Sequence, residues 1–127
     1  MFDSLLEHAQ ECHPSESVVL LFGHVKNSDV IVKHFDLVDN VLKSRTKFEV
    51  DPVEQYRLFI EAEKRDEDLI GIFHSHPAPP VPSQTDIRNM KLNPVVWLIA
   101  SSLTGNWETN AFVLQNDEPV EVEMLIE

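Results

Sequence analysis

Residues 69–86 read LIGIFHSHPAPPVPSQTD. Leu69 to His74 is a short apolar run rich in β-branched and aromatic residues, which predicts a strand. The prolines between Pro77 and Pro82 lack backbone N–H groups and predict a stiff loop. Ser83 is a good helix cap, so a helix is expected from there to about Leu92. On a strand, side chains two apart share a face. His74 and His76 therefore present two imidazoles on one side of a strand end, with Ser75 turned away. Asp86, in the first turn of the following helix, is the best third ligand for an ion. A His-His-Asp set would leave the fourth tetrahedral position to water, as a catalytic zinc requires. The same SQTD is also a capping box, in which Asp86 bonds the backbone of Ser83 rather than a metal. Both readings stand on these residues.

Outward from this stretch, the pattern is that of an α/β domain. Phe2, Leu5, Leu6 and Ala9 are spaced for a first helix over 2–12, which His13-Pro14 ends because the residue before proline is pushed out of helical geometry. Ser17 to Val25 (SVVLLFGHV) is a continuous apolar run and predicts a buried strand. Asn27-Ser28 predicts a hairpin tip, with the chain returning through Val30 to Val38, and Thr46 to Val50 predicts a further strand. Asp51-Pro52-Val53-Glu54 starts a helix by capping box and N1 proline. Val53, Tyr56, Phe59, Ile60 and Glu63 carry its spacing, and the polar KRDED run ends it near residue 66. Val95 to Ser101 (VVWLIAS) predicts a central strand, Gly105-Asn106 a turn into Trp107 to Leu114, and Asn116-Asp117 another. The acidic tail Val120 to Ile126 alternates as an edge strand would. Helices interleaved with strands, without repeats or linkers, predict one domain over residues 1–127, a mixed sheet flanked by helices.

Composition narrows the function. With 22 acidic against 10 basic side chains the formal charge is -12, and no basic face is available to neutralise phosphates, so nucleic acid is excluded as a partner. No stretch reaches the roughly 18 apolar residues of a membrane span, and the acidic N-terminus is not a signal peptide. The lone Cys12 rules out an intramolecular disulfide and predicts a reducing, cytoplasmic setting. It leaves open a bridge between two copies, and with it a homodimer. No basic partner of Cys12 stands at a recognisable spacing, so a thiol nucleophile is not expected.

HSHP followed by SQTD (His74–Pro77, Ser83–Asp86) resembles the JAMM motif of MPN+ zinc metallopeptidases, H-x-H-P, a short loop, then S-x-x-D. HPSESVVLLFG (His13–Gly23) is similar to that family's segment around its catalytic glutamate. The order of elements matches the family's cytidine-deaminase-like fold over essentially the whole chain. The interval from His76 to Asp86, residues 77 to 85, is one residue shorter than the family usually has, and the shortening falls in the proline-rich loop. Without an appended domain, the chain looks most like the small archaeal members, desampylases, which remove ubiquitin-like small modifier proteins from their targets.

The resemblance implies one catalytic Zn2+ held by His74, His76 and Asp86, with a zinc-bound water as nucleophile. A general base must then move the water's proton to the leaving amine. Glu16 is expected in that role, since it precedes the apolar strand where the family has its glutamate; Glu11 is the nearest rival. Ser83 is expected to cap the helix and, as the resemblance implies, to donate to the oxyanion. His8, His13, His24 and His34 are expected outside the site, and Trp97 and Phe73 in the core. The expected substrate is the bond after a C-terminal Gly-Gly of a ubiquitin-like modifier, its extended tail held between the segment Val41 to Val50 and the loop 77–82. Two alternatives stand beside this: release of an amino acid such as cysteine from a small sulfur-carrier protein, and a non-catalytic MPN scaffold. A closed structural zinc would want a fourth protein ligand, typically cysteine. A zinc deaminase would need the P-C-x-x-C ligands that this sequence lacks.

Overall fold

The apolar runs at 17–25 and 95–101 lack polar alternation because helices cover both faces of the sheet they join. The computed structural model describes residues 1–125. In chain order the elements are α1 (Phe2–Cys12), β1 (Val18–Lys26), β2 (Asp29–Val38), α2 (Pro52–Lys64), β3 (Asp68–Ser75), α3 (Gln84–Leu92), β4 (Val96–Ser101), β5 (Glu108–Gln115) and β6 (Glu118–Val122). The strands form one sheet in the order β2-β1-β3-β4-β5-β6. β3 and β4 pair in parallel, with α3 as their crossover, and the other neighbours are antiparallel. This is the expected α/β fold, a mixed and mostly antiparallel sheet flanked by helices.

Strand alternation sorts the core into two layers. Val18, Leu20 and Phe22 join Ile72, Trp97 and Ile99 on one face, beneath Leu58 and Ala62 of α2 and Met90 of α3. Val19 and Leu21 join Phe73 and Leu98 on the other, beneath Leu5 and Ala9 of α1. Each such side chain contributes about 1.5–3 kcal/mol when fully buried, so the two layers fix the register of β1 against β3. In that register Val18 lies opposite His74. The start of β1 is thus held beside the end of β3, where the two histidines stand.

Four expectations change. Thr46 to Val50 is not a strand: Asn40 supplies the hydrogen bonds that a neighbouring strand would, donating to the Lys47 carbonyl and accepting from the Glu49 N–H. Phe48 and Val50 still pack on the core, which is what their alternation signalled. In α2 the buried line is Leu58 and Ala62, while Val53 and Tyr56 stand 77% and 69% exposed. The small Ala62 lets the helix approach the sheet along the 58/62 line, and Phe59 reaches only the edge of Phe22, ring centroids 6.0 Å apart. Asp51 caps α2 through the Val53 N–H at 2.9 Å, but Glu54 turns to Arg57 instead of closing a capping box. Lastly, the tail strand begins earlier and is shorter than expected, with Pro119 on the sheet's edge where a missing N–H is tolerated. The predicted end of that strand, Ile126, lies outside the described residues.

Candidate metal centre

The end of β3, Glu16 two residues before β1, and the first turn of α3 converge on one face of the sheet. His74 follows Ile72 on the α2/α3 face, and β-alternation sends Phe73 and Ser75 to the α1 face. His76 lies just beyond the strand, its N–H bonded to the Ala100 carbonyl of β4 at 3.1 Å. The proline loop is tied down by Asn110, which donates from Nδ2 to the Pro80 carbonyl at 3.1 Å. The loop leads into α3, whose first turn faces Asp86 toward the histidines.

The two readings of SQTD turn out to be simultaneous. Ser83 Oγ accepts from the Asp86 N–H at 3.1 Å, and the Ser83 N–H donates to Asp86 Oδ2 at 2.9 Å. With one oxygen held by the cap, the carboxylate still places Oδ1 3.0 Å from His74 Nε2 and Oδ2 3.6 Å from His76 Nε2. Glu16 Oε1 lies 3.8 Å from His74 Nε2. All four of these side chains are buried.

These atoms are close without being hydrogen-bonded. Both ring nitrogens of His74, both of His76, and Glu16 Oε1 are enclosed and find no aligned donor or acceptor. Buried polar atoms in native proteins are satisfied in the great majority of cases. Three ligand atoms, one each from His74, His76 and Asp86, lie within 4.8 Å of one another. The buried His-His-Asp triad is compatible with a metal site: two imidazoles and a carboxylate suit a borderline divalent ion.

The electrostatics agree with a site made for positive charge. Burial raises the Glu16 carboxyl, the neighbouring Asp86 carboxylate adds to this, and His76 opposes it, the balance standing at about 8. Burial also works to raise Asp86, but His74, His76 and the Ser83 N–H outweigh it and hold the group well below the usual carboxylate range. Burial disfavours the charged form of His76, yet Asp86 and Glu16 overcome it and raise the imidazole above its ordinary value. Burial, with the Asp86 carboxylate beside it, thus favours the protonated form of Glu16 in the metal-free protein.

The residues singled out from the sequence as candidates for the site can now be placed. His74, His76, Asp86, Glu16 and Ser83 come together; Glu11 stays on α1. His34 pairs with Asp36 on β2 at 3.3 Å, away from the site. Cys12 does have a basic neighbour after all, His8 one helical turn back with Nε2 3.9 Å from Sγ. Burial, Asp39 and Glu11 nevertheless push the thiol up, the wrong direction for a nucleophile. Two participants escaped the sequence reading. Phe48 stacks its ring 5.3 Å from that of His74 and 5.9 Å from Trp97, closing the site from the 40–50 side. Asn40, buried, holds that segment in place. An Asp-Asn dipeptide after a strand signals a turn and nothing more.

Its likeness to known proteins makes this chain a JAMM-type peptidase, a hydrolytic enzyme. The chain belongs to the family of prokaryotic homologs of the JAB domain, whose pattern matches residues 1–115. It is 36% identical to a desampylase of Pyrococcus furiosus over 89% of this chain and 80% of that one. It is 35% identical to a desampylase of Haloferax volcanii over 78% of this chain and 74% of that one. A CysO-cysteine peptidase of Mycobacterium tuberculosis is 32% identical over 69% of this chain and 60% of its own length. A solution structure of a Desulfitobacterium hafniense protein superposes with a TM-score of 0.84 at 29% identity, covering 99% of this chain and 88% of that one.

Proposed function

We propose that this protein is a zinc-dependent isopeptidase that hydrolyses the bond after the C-terminal Gly-Gly of ubiquitin-like small modifier proteins. The observation that carries the reading is the convergence of three buried ligand atoms from His74, His76 and Asp86, with the Glu16 carboxylate beside them and unbonded. His74, His76 and Asp86 would hold the ion. When bound, zinc supplies a Lewis acid and lowers the pKa of water from 15.7 to about 7.

The chain's own residues do the rest. Glu16 takes the proton of the attacking water and delivers it to the departing amine. Its carboxyl sits high in the metal-free protein, and positive charge at the neighbouring ligands favours the ionised form that a base must have. Ser83 Oγ already accepts from the Asp86 N–H, so its own proton is free to donate to the carbonyl oxygen as that oxygen gains charge. Phe48 and Trp97 keep bulk water from the His74 side. An extended Gly-Gly tail would lie between the 40–50 segment, which brings Phe48 to His74, and the loop 77–82, which joins His76 to Ser83. The two desampylase relatives support this substrate class. The reducing cytoplasm suits a chain with a single, unpaired cysteine.

The CysO-cysteine peptidase relative favours a second reading, in which the leaving group is one amino acid released from a small carrier protein. The intact ligand set argues against a scaffold role. Both enzymatic readings are tested by elemental analysis and cleavage assays on the parent, Glu16→Ala and His76→Ala. Two substrates are needed, a modifier joined to a lysine of a folded target and a modifier ending in Gly-Gly-Cys. About one zinc in Glu16→Ala without cleavage, and neither zinc nor cleavage in His76→Ala, is the expected result. A parent without stoichiometric zinc, or one indifferent to chelation, overturns it.

A further inference from the structure

Asn40 is buried, 24 positions from Glu16 in sequence, and uses its whole hydrogen-bonding capacity. Nδ2 donates to the carbonyls of Glu16 and Lys47, each at 3.0 Å. Oδ1 accepts from the N–H groups of Leu42 at 3.1 Å and Glu49 at 3.2 Å. The Glu16 N–H in turn donates to the Ser44 carbonyl at 2.7 Å, and Ser15 Oγ to the Lys43 carbonyl at 3.0 Å. Both backbone polar groups of Glu16 are therefore held by one loop, 40–50. The same loop lays Phe48 against His74. Glu16 precedes β1, and its backbone is placed by this loop on one side and by the Ser75 hydroxyl, which accepts from the following N–H, on the other.

We infer that Asn40 is a positioning residue: it ties the 40–50 loop to the backbone of Glu16 and so sets the place of the carboxylate relative to His74, His76 and Asp86. The inference rests on the reading of Glu16 as the proton carrier. Misplacement of a proton-transfer group by about 1 Å costs on the order of 100-fold in rate, while the zinc ligands, carried by β3 and α3, stay where they are.

Asn40→Asp separates tether from loop. The aspartate keeps acceptors for Leu42 and Glu49 but loses both donors and sets negative charge against the Glu16 and Lys47 carbonyls. In the full-length, zinc-loaded protein we expect parental zinc content, KM within about twofold, and kcat lower by roughly 10- to 100-fold. Amide exchange at Glu16 should quicken at least about tenfold relative to that at Leu20, a readout independent of turnover. In a Glu16→Gln background the same change should cost no further activity, because the group it positions is already gone. Equal losses with and without Glu16, or an unchanged kcat with an unchanged Glu16 amide, overturn the inference and leave Asn40 as loop packing. If Glu16→Gln alone cleaves like the parent, the role of Glu16 falls first and the positioning role with it. Asn40→Ser, whose hydroxyl is too short to span both carbonyls, carries the same comparison if the aspartate variant does not fold.

Discussion

The hydroxyls of Ser17 and Ser75 meet at 2.7 Å, both fully enclosed between β1 and β3. Ser75 Oγ also accepts from the Ser17 N–H at 3.1 Å, and the Ser75 N–H donates to the Ser17 carbonyl at 3.2 Å. Ser17 follows Glu16, and Ser75 separates His74 from His76. The serine between the histidines therefore faces away from them, as alternation requires, and clasps the residue next to the candidate base.

Replacing Ser75 with alanine removes the partner of both the Ser17 hydroxyl and the Ser17 N–H. Each buried group left without a partner costs roughly 1–3 kcal/mol. Ser75→Ala should unfold at lower denaturant concentration with an unchanged m-value, and bind zinc with parental stoichiometry. A variant as stable as the parent would mean that water or a rearranged backbone replaces the clasp.

The metal-free protein should lose stability as pH rises between about 5 and 8. The sign follows from Glu16, whose carboxyl is raised to about 8 in the native state against about 4.5 in the unfolded chain. Across that window the native protein binds the extra proton, so the slope is negative, up to about 1.4 kcal/mol per pH unit for one proton. His76, also raised, acts in the same direction, its contribution lost as pH climbs through its native pKa. Asp86 is depressed, so its contribution is complete above the ordinary carboxylate range and fades only in acid. Denaturant titrations of the chelated parent and Glu16→Gln from pH 5 to 8 check this; the variant should show the shallower slope. Parallel slopes would remove Glu16 from the account.

Much of this was legible because it is local. The histidine pair needs only strand alternation, the Ser83–Asp86 box only helix-start geometry, and the two-layer core only the unbroken apolar runs at 17–25 and 95–101. What escaped depends on long-range closure. Asn40 carries no periodicity, and its four bonds reach residues from Glu16 to Glu49. The 46–50 segment has a strand's alternation, but a side chain takes the place of a partner strand. In α2 two apolar stripes compete, and only the sheet beneath decides that Leu58 and Ala62 win over Val53 and Tyr56.

Gly23 marks the irregularity in β1, where the register against β2 shifts between Phe22 and Gly23. A Cβ there would run into the carbonyl of Ile31 on the facing strand. Gly23→Ala should destabilise by about 1–3 kcal/mol, the usual range for forced overpacking. Because the glycine lies toward the other end of β1 from Val18, which faces His74, zinc content and kcat should match the parent once the variant is folded. Loss of zinc would show that the bulge sets the register of the whole strand.

Asp86 does two jobs that substitution can separate. As the third residue of α3 it closes the capping box, accepting from the Ser83 N–H; as the proposed ligand it lies beside both imidazoles. Asparagine at this position keeps an amide oxygen for the Ser83 N–H and so preserves most of the cap, whose loss would cost about 1 kcal/mol. It brings no negative charge, and its nitrogen is a donor that no cation accepts. Asp86→Asn should therefore keep the cap but lose the metal-free stability that His74 and His76 lend the carboxylate near neutral pH, retain far less than one zinc per chain, and lose cleavage. Asp86→Ala should lose the metal together with the half of the capping box that runs from the Ser83 N–H to the side chain, keep the bond from its own N–H to Ser83 Oγ, and melt lower in its metal-free form than the asparagine variant. Elemental analysis with parallel thermal unfolding after chelation distinguishes the two. If Asp86→Asn still holds a full zinc and cleaves, the carboxylate is there for the helix alone and another residue completes the ligand set.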